Sequence, residues 1–277
     1  MLPNFLIIGA ARSGTTALYY GLREHPQVFM PAKKELNFFT SNWKHGLEWY
    51  GDFFQSQTGQ PAIGEASPGY TFNYASVVVQ RIAEVIPEAK LIYMVRHPAE
   101  RAYSHYLHYR YTLQKETRPF SDAIKQDESY LSGSSYYQWI MRYHTHLEQK
   151  QMLILLFEEF EINPQACFQQ IFEFLGVDPT FIPHSASRKI NVNYDPRNKT
   201  LQSVFKRLAK SKGRYIVDTL LPASSRSFIR NLIDRSVGTH SLPEMTPEIR
   251  TYLLQYFQED TQRLAAYLGR DLSPWLV

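Results

Sequence analysis

The segment Gly9-Ala10-Ala11-Arg12-Ser13-Gly14-Thr15-Thr16 follows the apolar run NFLII. Its glycines and terminal hydroxyl have the spacing of a phosphate-binding loop, G-x-x-x-x-G-K-[ST]. Thr15 stands at the lysine position. That lysine reaches β- and γ-phosphates beside a Mg²⁺ held by the Ser/Thr, so its loss argues against a triphosphate rather than against phosphate. Arg12 still supplies positive charge, and the backbone N–H groups of Ser13, Gly14, Thr15 and Thr16 can converge on an anion where the next helix starts. A glycine turn whose Thr15 or Thr16 only caps that helix is the plain alternative.

A second candidate anion site lies in AKLIYMVRHPAERAYSHYLH. Its apolar run delivers Arg96 to the C-terminal edge of a strand, where open α/β sheets gather ligands, and Ser104 follows two helical turns beyond Pro98. The competing readings are an Arg96 paired with a structural carboxylate and a Ser104 that is an ordinary helix-surface residue. One anion site at each of two strand ends implies a nucleotide phosphorylated at two places.

The elements that must position these residues are legible as short apolar runs. Phe5 to Ile8, Ala62 to Glu65, Lys90 to Val95 and Met152 to Phe157 read as buried parallel strands. Between them TTALYYGLREHP, NYASVVVQRIAEVIPEA and PAERAYSHYLHYRYTL carry helical periodicity. The alternation predicts a P-loop-like, doubly wound α/β sheet of about five parallel strands flanked by helices. Asn163 as N-cap, Pro164 in the first turn and Gly176 at the end frame another helix. Thr246-Pro247-Glu248 starts a long amphipathic helix with Ile249, Leu253, Phe257, Leu264 and Leu268 inward, ended by Gly269. We expect one domain over 1–277, with a nucleotide-binding core over 1–180 and covering loops and C-terminal helices over 181–277.

Composition narrows the class. With 277 residues, 44% apolar and 20% charged, the chain is long enough for one sizeable globular core. The net charge of +4 favours anionic ligands but is too small to argue for nucleic acid. Cys167 is the single cysteine, so an intramolecular disulfide and a cysteine metal site are ruled out, which fits a reducing compartment. It shares a helical face with Ile171, Phe174 and Leu175 and reads as a core thiol. The N-terminus has no basic leader, and no segment reaches membrane-spanning length, so the expectation is a cytoplasmic protein, with peripheral membrane contact through basic faces left open.

Together, IIGAARSGTTAL and YMVRHPAERAYSHY resemble the sulfotransferases that use 3′-phosphoadenosine 5′-phosphosulfate (PAPS). The first resembles that family's 5′-phosphosulfate loop and the second, from Arg96 to Ser104, its 3′-phosphate element. PAPS carries a 5′-phosphosulfate and a 3′-phosphate, which suits a lysine-less loop plus a second arginine site; adenosine 3′,5′-bisphosphate (PAP) is the implied product, and no metal is implied. PAKKELNFFTSNWKHGLEWY is similar to the K-E-P-H-F-F and G-L-E-W-Y segments of the heparan sulfate 3-O-sulfotransferases and their bacterial relatives. By that match Glu35 aligns with the catalytic base and Lys34 with its neighbour, which positions Glu35 or contacts the moving sulfonate. GEASPGY resembles the family's E-K-T-P-x-Y strand end, with Ala66 in place of lysine, so an acceptor contact made by that lysine is not carried over. Arg12 stands where the N- and 3-O-sulfotransferases often have lysine; arginine keeps the charge but does not readily give up a proton. For the loop that closes over the nucleotide, Lys212, Gly213 and Arg214 resemble the family's K-G-R, and residues 187–200, with Arg197, are an equal candidate.

The resemblance implies transfer of the sulfuryl group to a carbohydrate hydroxyl, in preference to an amine, with a lipid, polyketide-like or other small-molecule alcohol as the runner-up acceptor. His97, His105 and His108 are rival bases, with the more suitable ordinary pKa but at positions where histidines are more often structural or exposed. Lys206, Arg207, Lys210, Lys212 and Arg214 form a basic segment that can hold an anionic sugar chain or phospholipid surface, or can be a solvated face. A nucleotide kinase or a non-catalytic nucleotide-binding module are the alternatives from other classes.

Overall fold

The computed structural model describes residues 1–72, 77–187 and 245–277, all within one compact unit. The strands are β1 (Phe5–Gly9), β2 (Val28–Phe29), β3 (Ala62–Ala66), β4 (Lys90–Val95) and β5 (Met152–Leu156). The helices are α1 (Thr15–Glu24), α2 (Gly46–Asp52), α3 (Val78–Val85), α4 (Pro98–Leu107), α5 (Phe120–Gln126), α6 (Ser129–Ser132), α7 (Tyr136–His144), α8 (Phe157–Ile162), α9 (Pro164–Leu175), α10 (His184–Ser187) and α11 (Pro247–Leu268). The five strands are parallel, in the order β2-β3-β1-β4-β5. This is the expected doubly wound sheet. Two details differ from the sequence reading: β2 is a two-residue edge strand too short to show as an apolar run, and Phe157 begins α8 instead of ending β5.

Side chains alternate along each strand, and a parallel sheet is covered on both faces, so successive residues enter different cores. Leu6 and Ile8 of β1 join Leu91, Tyr93 and Val95 of β4 in one core, closed by α3, α7 and Leu264 of α11. Phe5 and Ile7 join Ile92 and Met94 in the other, closed by α1 and α9. The backbones approach closely beside β1: a Cβ on Gly64 would lie 2.3 Å from the Phe5 ring, so glycine alone fits there.

Both expected helix frames form. The Asn163 side chain accepts from Ala166 N–H at 3.1 Å and Gly176 adopts φ 80°; Thr246 accepts from Ile249 N–H at 3.4 Å and Gly269 adopts φ 62°. Leu253, Phe257 and Leu264 are buried, while Ile249 and Leu268 are half-buried. α11 also completes α7, whose own first turn has no side-chain cap. The buried Asp260 carboxylate accepts from Tyr137 and Gln138 N–H, each at 3.1 Å. Cys167 is buried and its thiol pKa is pushed up to about 11 by burial, as befits a core residue.

Candidate functional site

Strand order places the site. From β1 the chain builds β2 and β3 on one side and β4 and β5 on the other, so the crevice at the C-terminal ends of β1 and β4 is the switch point of the sheet. There Ala10 N–H donates to Met94 O at 2.7 Å, tying the loop after β1 to β4. The loop turns through left-handed conformations at Arg12 (φ 74°) and Gly14 (φ 82°). Gly14 is doubly required, since a Cβ would also lie 3.0 Å from the Phe157 ring.

Gly14 is the N-cap of α1, and no side chain caps that helix end. The capping reading of Thr15 and Thr16 is therefore replaced by a helix start at which, among the described residues, the N–H groups of Gly14, Thr15 and Thr16 are unused; the Ser13 N–H, expected with them, instead donates to Ala10 O at 3.1 Å. Thr15 is buried and Thr16 exposed. Ser13 is fully buried, and its Oγ has no hydrogen-bond partner among the described residues, an arrangement with a cost of about 1–3 kcal/mol unless something accepts from it or donates to it. Arg12 is exposed beside it. A hydroxyl, a row of amides and a guanidinium in one turn are the donor set that a phosphosulfate needs, so these residues fit that group.

Arg96 emerges from the end of β4. Its backbone is held by the Tyr136 hydroxyl, which donates to Arg96 O at 2.7 Å, and its guanidinium stacks 4.9 Å over the Phe157 ring. The guanidinium donates to Arg12 O at 3.3 Å and forms no ion pair among the described residues. Arg12 Nε in turn donates to Ser104 Oγ at 3.2 Å. The loop residue and both residues of the second candidate anion element thus meet directly, though their chain separations are 84 and 92 residues.

Lys34 and Glu35 lie in the loop between β2 and α2. Lys34 Nζ stands 2.8 Å from Glu35 Oε1, with the lysine side chain 17% and the glutamate 53% exposed, so the carboxylate is open to an incoming molecule. Glu35 N–H donates to Ala66 O at 3.0 Å, which fixes it at the C-terminal end of β3; Ser67 N–H donates to Ile7 O at 3.1 Å, joining that end to β1. Glu35 and the glycine loop therefore occupy the same edge of adjacent strands. Ala66, in the lysine position, is buried among apolar side chains.

The histidines are differently placed. His105 is buried, its ring Nδ1 lies 3.3 Å from Arg101, and burial with the neighbouring guanidinium holds its pKa well below the ordinary value. His97 is mostly buried against Trp275, and burial lowers its pKa too. His108 lies in the π-helical turn His108–Thr112 after α4. Arg197, Lys212, Gly213 and Arg214, and with them the basic segment from Lys206, lie outside the described residues. Sequence reasoning gave no role to Phe157, the platform under Arg96, or to Glu65, buried beside the Glu35 loop; the signals for the second were a lone carboxylate inside the apolar run AIGEA and its place at the glutamate of the E-K-T-P-x-Y resemblance.

The chain matches the sulfotransferase domain family over residues 2–265 and belongs to that family. It is 28% identical to human bifunctional heparan sulfate N-deacetylase/N-sulfotransferase 2 across 99% of its own length, and spans 31% of that protein. It is also 28% identical to the membrane-associated sulfotransferase kil1 of Dictyostelium discoideum, over 98% of this chain and 66% of that one. Among solved structures, the sulfotransferase from Alicyclobacillus acidocaldarius superposes with a TM-score of 0.73 at 26% identity, covering 99% of both chains. Mouse sulfotransferase SULT7A1 complexed with PAP shares the fold, with a TM-score of 0.55 at 15% identity over 94% of this chain and 85% of that one. Family membership removes the nucleotide-kinase reading. Among the described residues, no helix is long and apolar enough to cross a membrane.

Proposed function

We propose that this chain is a PAPS-dependent sulfotransferase, a single domain that transfers the sulfuryl group to a carbohydrate. The observation that carries the reading is the contact of Arg12 with both Arg96 and Ser104 across the β1/β4 crevice, which brings the two candidate anion-binding elements together. Arg12, the Ser13 hydroxyl and the amides of Gly14 to Thr16 hold the 5′-phosphosulfate and stabilise charge developing on the departing phosphate. Arg96 and Ser104 hold the 3′-phosphate, and Arg197 or the Lys212-Gly213-Arg214 segment closes over the nucleotide. Glu35 takes the acceptor proton as the new bond to sulfur forms in line with the breaking one, and Lys34 steers the carboxylate or the moving sulfonate.

The heparan sulfate relatives favour a glycan acceptor, and the Glu35 segment favours a hydroxyl over an amine. A cytoplasmic location remains our expectation, with peripheral membrane contact as in the name of kil1. Transfer of radiolabelled sulfate from PAPS tests the reading with three acceptors: heparan sulfate, its N-desulfated derivative and a long-chain alcohol. We expect label in the glycans. Equal label in both assigns the hydroxyl, and label confined to the N-desulfated glycan assigns the amine. Label in the alcohol alone would replace the glycan with the small-molecule reading, and transfer to none of the three would reject the glycan acceptor.

A further inference from the structure

We propose that Glu65 is the positioning residue for Glu35, holding the loop that carries it at the end of β3; this rests on the reading of Glu35 as general base. Glu65 is 1% exposed and forms no ion pair among the described residues. A buried carboxylate without a cation persists only if donors surround it. Here Ser67 Oγ donates to Oε2 at 2.6 Å, and the Tyr50 and Tyr70 hydroxyls donate to Oε1. Burial still raises the Glu65 pKa, the donors offsetting it in part.

The same donors reach onward into the loop. Ser67 Oγ, oriented by its bond to Glu65, accepts from Asn37 N–H at 2.9 Å. Tyr70 OH, oriented likewise, accepts from Phe39 N–H at 3.4 Å. With Glu35 N–H on Ala66 O, the amides of residues 35, 37 and 39 are all tied to the end of β3, two of the three through Glu65. The tie has something to hold: Glu35 and Asn37 sit at φ 61° and 49°, a left-handed conformation that costs non-glycine residues roughly 1–3 kcal/mol each and persists only where the surroundings over-determine it. Packing alone gives no reason for a charge here, since an apolar side chain fills a core without the desolvation cost.

The test compares Glu65→Gln, Glu35→Gln and the double variant, assayed with PAPS and N-desulfated heparan sulfate. Glutamine keeps the shape but presents an amide N–H to at least one donor. We expect Glu65→Gln to lower kcat by about 10- to 100-fold, the scale of a misplacement near one ångström, with KM for PAPS within about twofold. In the Glu35→Gln background the same change should cost less than about twofold, because a residue that acts through another is not additive with it. Amide hydrogen exchange at Asn37 and Phe39 should quicken in Glu65→Gln by about tenfold or more. An unchanged kcat, an equal loss in both backgrounds, a lost affinity for PAP, or unchanged exchange would overturn the proposal. Full turnover by Glu35→Gln would reject the base and leave the anchoring of the loop to the exchange measurement, so the two failures are told apart. Should Glu65→Gln not fold, Ser67→Ala and Tyr70→Phe each cut one link and are judged by the same outcomes.

Discussion

Glu35→Gln lowers the rate of sulfuryl transfer by about two to four orders of magnitude, the range for loss of a general base, while the affinity for PAP stays within about twofold. The split follows from the geometry. The Glu35 carboxylate is half exposed and its polar side-chain partner is Lys34, so removing the charge takes nothing from the loop at Arg12 to Thr16 or from Arg96 and Ser104. Glutamine keeps the side-chain volume and the backbone bond to Ala66 O, so the fold is undisturbed. The measurement is single-turnover transfer beside calorimetric titration with PAP. Unchanged turnover would dismiss Glu35 as the base, and His97 would then be the histidine to examine, because His105 is committed to Arg101.

Arg96→Ala acts on the nucleotide instead. The guanidinium lies over Phe157 with no ion pair among the described residues, so it is poised to spend its charge on a ligand. Losing a charge-assisted bond of about 1.5–3 kcal/mol should weaken PAP by about 10- to 150-fold. Adenosine 5′-phosphosulfate, which lacks the 3′-phosphate, should bind the variant and the parent within about threefold of each other. Equal weakening of both nucleotides would instead trace the effect to the lost support of Arg12 O, and so to the loop as a whole. Arg96→Lys keeps the charge without the planar fork and should fall between the two.

What was legible in the chain was what depends on near neighbours in sequence. Strand β4 reads as an apolar run, the frames of α9 and α11 read as Asn or Thr followed by Pro and closed by Gly, and the glycine loop reads from its spacing. Residues joined only in three dimensions were not. The two residues of β2 make a strand because β3 pairs with them, and α7 is capped by Asp260 from more than a hundred residues away. Phe157 looked like the end of a strand, yet its ring is the shelf on which Arg96 rests. Glu65 was visible as a charge in an apolar run and as the glutamate of GEASPGY, and its meaning depends on Tyr50, Ser67 and Tyr70 folding around it. The Glu35 assignment rests on a resemblance of its segment to known sulfotransferases; the fold adds that its loop is tied to the end of β3, the strand next to β1.

The most direct test of the account is calorimetric titration of the whole protein with PAP and with ATP, each with and without Mg²⁺. PAP should bind tightly without the metal, Mg²⁺ should change this little, and ATP should bind at least tenfold more weakly under both conditions, since Thr15 replaces the lysine that reaches a γ-phosphate and Arg96 with Ser104 suits a 3′-phosphate. Tighter binding of ATP with Mg²⁺ than of PAP would contradict it.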